Sequence, residues 1–271
     1  MSKSILCHVV ISDVHIPFHN QSYVNTFFNF CKDLKPDYIH ILGDLCDAYP
    51  LSKFLKNPER LLSFPQELYL ARRVIHHLRK LHPKSKIFFS EGNHEERLKK
   101  FIWNKVPELS QMSELSWTTL LDLDKHKVKL FPYNKPYEII NGDYPIVFSH
   151  GHDLRKYPGM SARAQAEKFG KTIVVGHSHR MSVQPVSFVN QQIYGIENGC
   201  LADITQLEYT TYVQWQFGWT VLWHWKKGVE VEQIYLTDHG YCYRGKFKPL
   251  CDHHKTKSCT SSQSALITQT N

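Results

Sequence analysis

The sequence predicts an α/β sandwich, and three observations carry that expectation. Five short apolar runs, rich in branched or aromatic residues, recur between residues 5 and 179. Helical periodicity fills several of the gaps between them. From about residue 181 the pattern changes to alternating apolar and polar residues. Strands interleaved with helices imply a sheet that is covered by helices.

In chain order, the strand-like runs are ILCHVVIS (5–12), DYIHILG (37–43), KIFFSEG (86–92), YPIVFSHG (144–151) and KTIVVGHSH (171–179). Each is almost continuously apolar, as a strand buried on both faces is. The helical segments are SYVNTFFNFCKDL (22–34), PQELYLARRVIHHLRKL (65–81) and SARAQAEKFG (161–170). Pro65 opens the second and Gly170 closes the third, the residues favoured at those ends. Residues 95–126 read as a helical insertion between two strands, either ordinary packing or the wall of a substrate cleft. Beyond residue 181, MSVQPVSFV, QQIYGIENG, TYVQWQFGWTVLWHW and VEVEQIYL read as antiparallel strands covering one side of the core. Trp215, Phe217, Trp219 and Trp223 alternate there, as residues filling a sheet-on-sheet core do; the alternative is a stacking platform for nucleic acid. One domain is expected over residues 1–245. Residues 246–271, rich in Ser, Thr, Lys and Gln, are expected to form a mobile tail.

With 271 residues and 42% hydrophobic composition, the chain can bury a sizeable core. No stretch reaches the apolar length of a membrane span, and the N-terminus runs straight into a strand-like segment. A cytoplasmic protein without membrane association is therefore expected. Seven scattered cysteines with no CxxC pair argue against a secreted disulfide framework and against a zinc ribbon. The formal net charge of +8 favours polyanionic partners, such as a phosphorylated substrate, a nucleotide or nucleic acid. Composition leaves the oligomeric state open.

The chemistry gathers at the ends of the five runs. SDVH supplies Asp13 and His15, GD supplies Asp44, GNHE supplies Asn93 and His94, SHGH supplies His150, and GHSH supplies His177 and His179. In an open sheet the carboxyl ends of the strands meet at one crevice, so residues distant in sequence can converge there. Gly43, Gly92 and Gly176 each precede one of these residues, where a backbone without Cβ can turn sharply. Carboxylate and amide oxygens mixed with imidazoles suit borderline divalent metals.

The ordered series DxH, GD, GNH, H, GHxH resembles the calcineurin-like metallophosphoesterase superfamily over residues 13–179. That resemblance implies a four-layer α/β/β/α sandwich with mixed central sheets. It also implies two divalent ions, drawn from Mn, Fe, Zn or Ni, with Mn expected to support activity best. Asp13, His15 and His179 would hold one ion, Asn93, His150 and His177 the other, and Asp44 would bridge them. His177 and His179, two apart on an extended segment, would face the same way and serve one ion each. ENGC (197–200) looks like the family's further Asn-Gly element.

The implied activity is hydrolysis of a phosphate ester, with Asp44 and His94 as catalytic residues and His94 as general acid or transition-state donor. Asp47 and His152 are candidates to orient the ligands, while Arg97, Arg155, Lys156 and Arg180 are candidates to meet phosphate oxygens. The GDLCDAYP stretch lacks the arginine of the superfamily's protein phosphatases. The basic balance, with Arg97, Lys99, Lys100 and Lys105 in the insertion, leans toward phosphodiesters of nucleotides or nucleic acid. The alternatives are a phosphomonoesterase, acting on nucleotides or phosphoproteins, and a non-catalytic metal-binding scaffold.

Overall fold

The computed structural model describes residues 4–57, 62–188, 191–206 and 214–251. Two mixed sheets lie face to face. The first has strand order β11-β10-β1-β2-β3-β4, with β1 (Ile5–Ile11), β2 (Tyr38–Leu42), β3 (Lys86–Ser90) and β4 (Val128–Phe131) all parallel. Strands β10 (Phe217–Trp225) and β11 (Gly228–Leu236) continue it antiparallel beyond β1. The second has order β5-β6-β7-β9-β8, from β5 (Tyr137–Asn141), β6 (Tyr144–Ser149), β7 (Thr172–Val175), β8 (Ser182–Phe188) and β9 (Gln191–Glu197).

Helices cover both outer faces, which gives the four layers the resemblance implies. Helices α1 (Gln21–Leu34) and α2 (Phe64–Leu81) pack on the first sheet, burying Phe27, Phe30, Ile75 and Leu78 against Val9, Ile39 and Ile41. Helix α1 starts where the Asn20 side chain accepts from the Tyr23 N–H, and α2 starts with a Ser63/Gln66 capping box. Between the sheets lie Val10, Leu42, Ile146, Phe148, Val174 and Leu222. Helix α5 (Met160–Phe169), ended by Gly170 in the left-handed region, buries Ala162 and Ala166 on the outer face of the second sheet. The expected insertion holds α3 (Glu96–Lys105) and the short α4 (Trp117–Leu120).

Three expectations need correction. The strands after residue 181 do not cover one side as a unit: β8 and β9 complete the second sheet, whereas β10 and β11 extend the first. Consequently Trp219 does not fill the space between the sheets. Its ring packs on Phe27 and Phe30 of α1, and the rows that face the other sheet carry Leu222 and His224 instead. Alternation fixed which residues share a face, but not which layer that face meets. Within the expected tail, Lys246–Pro249 instead forms β13 and pairs with β12 (Gly240–Tyr243). The rest of the expected tail, residues 252–271, lies outside the described residues. Among the described residues, no helix is long and apolar enough to cross a membrane.

Candidate metal centre

The parallel strands β1, β2 and β3 of one sheet and β6 and β7 of the other end at the same edge, and the loops after them carry the predicted residues. Three groups of ligand-competent atoms form there, the first from Asp13, His15 and His179, the second from Asp44, His150 and His177, and a third, from His15, Asp44 and His94, that shares a member with each. Asp44 Oδ2 lies between the first two, 3.3 Å from His150 Nε2 and 3.9 Å from both His15 Nε2 and His94 Nε2. Asn93 Oδ1 is 3.0 Å from His150 Nε2, which brings Asn93 to the second group.

The loops reach this geometry through an unusual backbone. Asp13, His15, Asp44, His177 and His179 all have positive φ, between 51° and 68°. Side chains other than glycine visit that region rarely, and such strain is characteristic of functional sites. Strand β7 ends at Val175, so His177 and His179 do not sit on an extended segment. They still reach different groups, because two left-handed residues redirect the chain where alternation on a strand was expected. His177 meets the His150 ring at 5.2 Å and His179 meets the His15 ring at 5.0 Å. Close approach also dictates two glycines. A Cβ at Gly43 would overlap the His150 ring, and one at Gly92 would overlap the Asp44 carboxylate.

The donor chemistry fits cations. His15 Nδ1 donates to Asp47 Oδ2 at 3.0 Å, which leaves a lone pair on Nε2, 3.2 Å from His179 Nε2; that nitrogen is also 3.1 Å from Asp13 Oδ1. His150 Nδ1 donates to the Leu42 carbonyl at 2.7 Å, so its Nε2 lone pair faces the Asn93 and Asp44 oxygens. Acceptors pointed at one another, buried from water, need positive charge between them. His150 registers the same demand: burial would lower its pKa, but the Asp44 carboxylate, with help from Asp13, lifts it to about 10. Burial, reinforced by His150, instead pushes His177 down to about 4.

Asp47 sits behind the first group and touches His15, His94 and Arg97. Its carboxylate meets His94 Nδ1 at 3.3 Å and Arg97 Nη1 at 3.2 Å, while its backbone carbonyl accepts from His94 Nδ1 at 2.9 Å. Burial opposes its charge, yet the hydrogen bonds from His15 and His94 hold its carboxyl well below the usual range. Asp47 thus turns His94 so that Nε2 points toward Asp44. Arg97 is engaged with Asp47 and with His94 Nε2, at 3.1 Å. The other predicted cations lie elsewhere. Arg180 is buried and donates to the Lys156 and Arg155 carbonyls, while the exposed Arg155 side chain lines a separate cavity beside His152 and Lys168. His152 is exposed next to Asp153 and orients no ligand.

Two contributors were given no role at the site from the sequence, although Glu95 completes the GNHE stretch. Glu95 is fully buried and accepts from the backbone N–H groups of Asp44, Cys46 and Gly92 at 2.8, 2.9 and 2.7 Å, tying two ligand loops together. Burial and then the Asp44 charge raise its pKa to about 7 against those hydrogen bonds. Its place directly after His94 was the available signal. Glu197 joins Ser178 of the last ligand loop to the first turn of α5 through Ser161 and Ala162. Asn198, the Asn of ENGC, donates to Ser12 Oγ just before Asp13.

The family model described as calcineurin-like phosphoesterase matches residues 9–181, more than half of the chain, and the chain belongs to that family. The chain is similar to the gene 54 protein of Mycobacterium phage L5, with 27% identity over 236 residues, covering 82% of this chain and 89% of that protein. Among solved structures it resembles wild-type Vps29 from Entamoeba histolytica complexed with Zn2+ (TM-score 0.51, 12% identity, 88% of this chain and 96% of that one). It also resembles Vacuolar Protein Sorting 29 from Cryptosporidium parvum (TM-score 0.51, 14% identity, 91% and 96%). At these identities the structural likeness speaks to the fold.

Proposed function

We propose that the chain hydrolyses phosphate esters at a dinuclear centre. Asp13, His15 and His179 would hold one divalent ion, Asn93, His150 and His177 the second, and Asp44 both. The observation that carries this reading is the convergence of unsatisfied lone pairs from both sheets on two neighbouring points, with Asp44 Oδ2 between them. When bound, such an ion pair neutralises phosphoryl charge and makes an attacking oxygen available near neutral pH, and Mn is the ion expected to support turnover best.

The protein's own groups divide the remaining work. His94 presents Nε2 toward the centre while the Asp47 carbonyl holds its Nδ1. Burial opposes charge on His94, but Asp44 and Asp47 raise its pKa, so that, with Nε2 protonated and Arg97 turned from it to the phosphate, it would serve as proton donor for a departing alkoxide. Arg97 steadies that pair and adds positive charge at the rim. Phosphodiesters of nucleotides or nucleic acid are the favoured substrates. Exposed Lys99, Lys100, Trp103 and Lys105 on α3 offer charge and a ring beside a helix whose first turn carries Arg97.

The test is a panel of bis-(p-nitrophenyl) phosphate, p-nitrophenyl phosphate, mononucleotides, cyclic nucleotides, single-stranded DNA and phosphopeptides, assayed with Mn2+. Turnover of diesters that is lost in Asp44→Asn is the expected result. Preference for monoesters would replace the diesterase reading, and stoichiometric metal without turnover of any ester would replace it with the scaffold.

A further inference from the structure

Three histidines outside the metal centre lie fully buried between the sheets. His8 on β1, His40 on β2 and His224 on β10 occupy adjacent strands of the first sheet. His224 Nε2 lies 2.7 Å from the Tyr144 carbonyl of β6, and His224 Nδ1 lies 3.4 Å from His8 Nε2. His8 Nδ1 is 3.0 Å from His40 Nε2, and His40 Nδ1 is 2.8 Å from the Tyr137 hydroxyl of β5. The chain of contacts therefore begins and ends on the second sheet and runs through the first.

Proton counting fixes its direction. The Tyr144 carbonyl can only accept, so His224 carries its proton on Nε2 and, when neutral, accepts at Nδ1. His8 must then donate from Nε2 and accept at Nδ1, His40 must do the same, and the Tyr137 hydroxyl donates into His40. Every ring nitrogen is used once, and all three rings are neutral Nε2–H tautomers. A proton added to any ring turns the Tyr137 hydroxyl from donor to acceptor and places an unpaired positive charge among buried apolar groups.

We propose that His8, His40 and His224 are positioning residues for the metal centre, forming a neutral one-way hydrogen-bonded seam that fixes the register of the two sheets. Apolar contacts such as Val10, Leu222 and Ile196 resist separation but are not directional, whereas hydrogen bonds break on sliding. Register matters because both ligand groups draw from both sheets: Asp13 and His15 meet His179, and Asp44 meets His150 and His177. His8 precedes Asp13 on β1, His40 precedes Asp44 on β2, and Tyr144 precedes His150 on β6, so the seam underlies the centre along the strands that build it.

The surroundings keep the seam uncharged. Burial lowers all three imidazole pKa values, that of His40 to about 3, and His8 is lowered further by His40 and His224. The titratable groups facing the rings are Tyr38, Tyr137 and Tyr144, with Lys86 bonded to the outer end of Tyr38. No carboxylate bonds to any of the three rings among the described residues. Because the folded values are depressed, the stabilisation is fully present above the unfolded value of about 6.5 and is lost as pH falls below it, toward about 3 for His40. The seam thus sets an acid limit to the fold.

The positioning role rests on the dinuclear reading, whereas the tautomers and the acid response do not, so the measurements separate them. Long-range 1H–15N spectra of histidine-labelled full-length protein, assigned by single variants, should show three neutral Nε2–H rings that do not titrate between pH 7.5 and 5.5. An imidazolium at any of them in the folded protein overturns the seam. In metal-free protein unfolded by urea, His40→Leu should bind about one proton fewer on unfolding, so wild type loses about tenfold more in folding constant per pH unit below 6.5. Parallel curves overturn the acid limit; His224→Leu, at the end of the chain, gives the same reading if His40→Leu does not fold. At pH 7.5 the folded leucine variant should bind Mn2+ roughly tenfold more weakly, and His40→Gln, which keeps a donor and an acceptor, should recover most of that. Unchanged Mn2+ affinity in the leucine variant overturns the positioning role. A wild-type chain that binds no Mn2+ overturns the dinuclear reading and the positioning role together.

Discussion

Asp47 shows how one side chain outside the ligand set governs the centre. Its carboxylate holds His15 by Nδ1, so that a lone pair faces the first group, and its backbone carbonyl, with the carboxylate at 3.3 Å, holds His94 so that Nε2 faces Asp44. Asp47→Asn keeps the shape and the carbonyl that bonds His94 but weakens the hold on His15 and removes a charge. Metal affinity should fall about 10- to 100-fold, read by titration calorimetry with Mn2+. His94→Ala should separate binding from chemistry: turnover should drop about 10²- to 10⁴-fold while elemental analysis still finds both ions. Metal loss in that variant would contradict the proton-donor assignment. The sequence exposed these residues because Asp and His at short fixed spacings stand out as motifs. Glu95 and Glu197 stayed hidden, since their work is done through backbone N–H groups and a serine hydroxyl that no spacing records.

At the level of elements, the buried parallel strands and the long helices were legible because apolar runs and helical periodicity are local. Strands β4 and β5, four and five residues long and half exposed, carried too little pattern to be recognised. The place of β10 was hidden for a different reason. It pairs with β1 from the far end of the chain, Val9 opposite Val221, and long-range pairing leaves no trace in a local window. The insertion was legible as helical, but its link to the centre was not. Trp117 Nε1 donates to the Glu95 carbonyl at 2.8 Å, so α4 braces the loop that follows β3. Trp117→Phe should leave that carbonyl only the Leu98 N–H, at 3.2 Å, and cost about 0.5 to 1.5 kcal/mol in urea unfolding.

Across the whole molecule, the two sheets meet at a crowd of buried carboxylates and imidazoles at one edge. Without counter-charge these groups oppose folding; with cations they favour it. Chelation with EDTA should lower the thermal midpoint, and Mn2+ should restore it, by about 4 kcal/mol at a thousandfold excess over the dissociation constant. Differential scanning calorimetry checks both directions. Midpoints that do not respond to Mn2+ would mean that the edge is stabilised in some other way.

The left-handed backbone at Asp13, His15, Asp44, His177 and His179 carries a kinetic consequence. Loops already bent into costly shapes have no rearrangement left to make when an ion arrives. Uptake should therefore be limited by stripping water from the cation, and stopped-flow traces should show a single phase whose speed follows the exchange rate of the metal chosen.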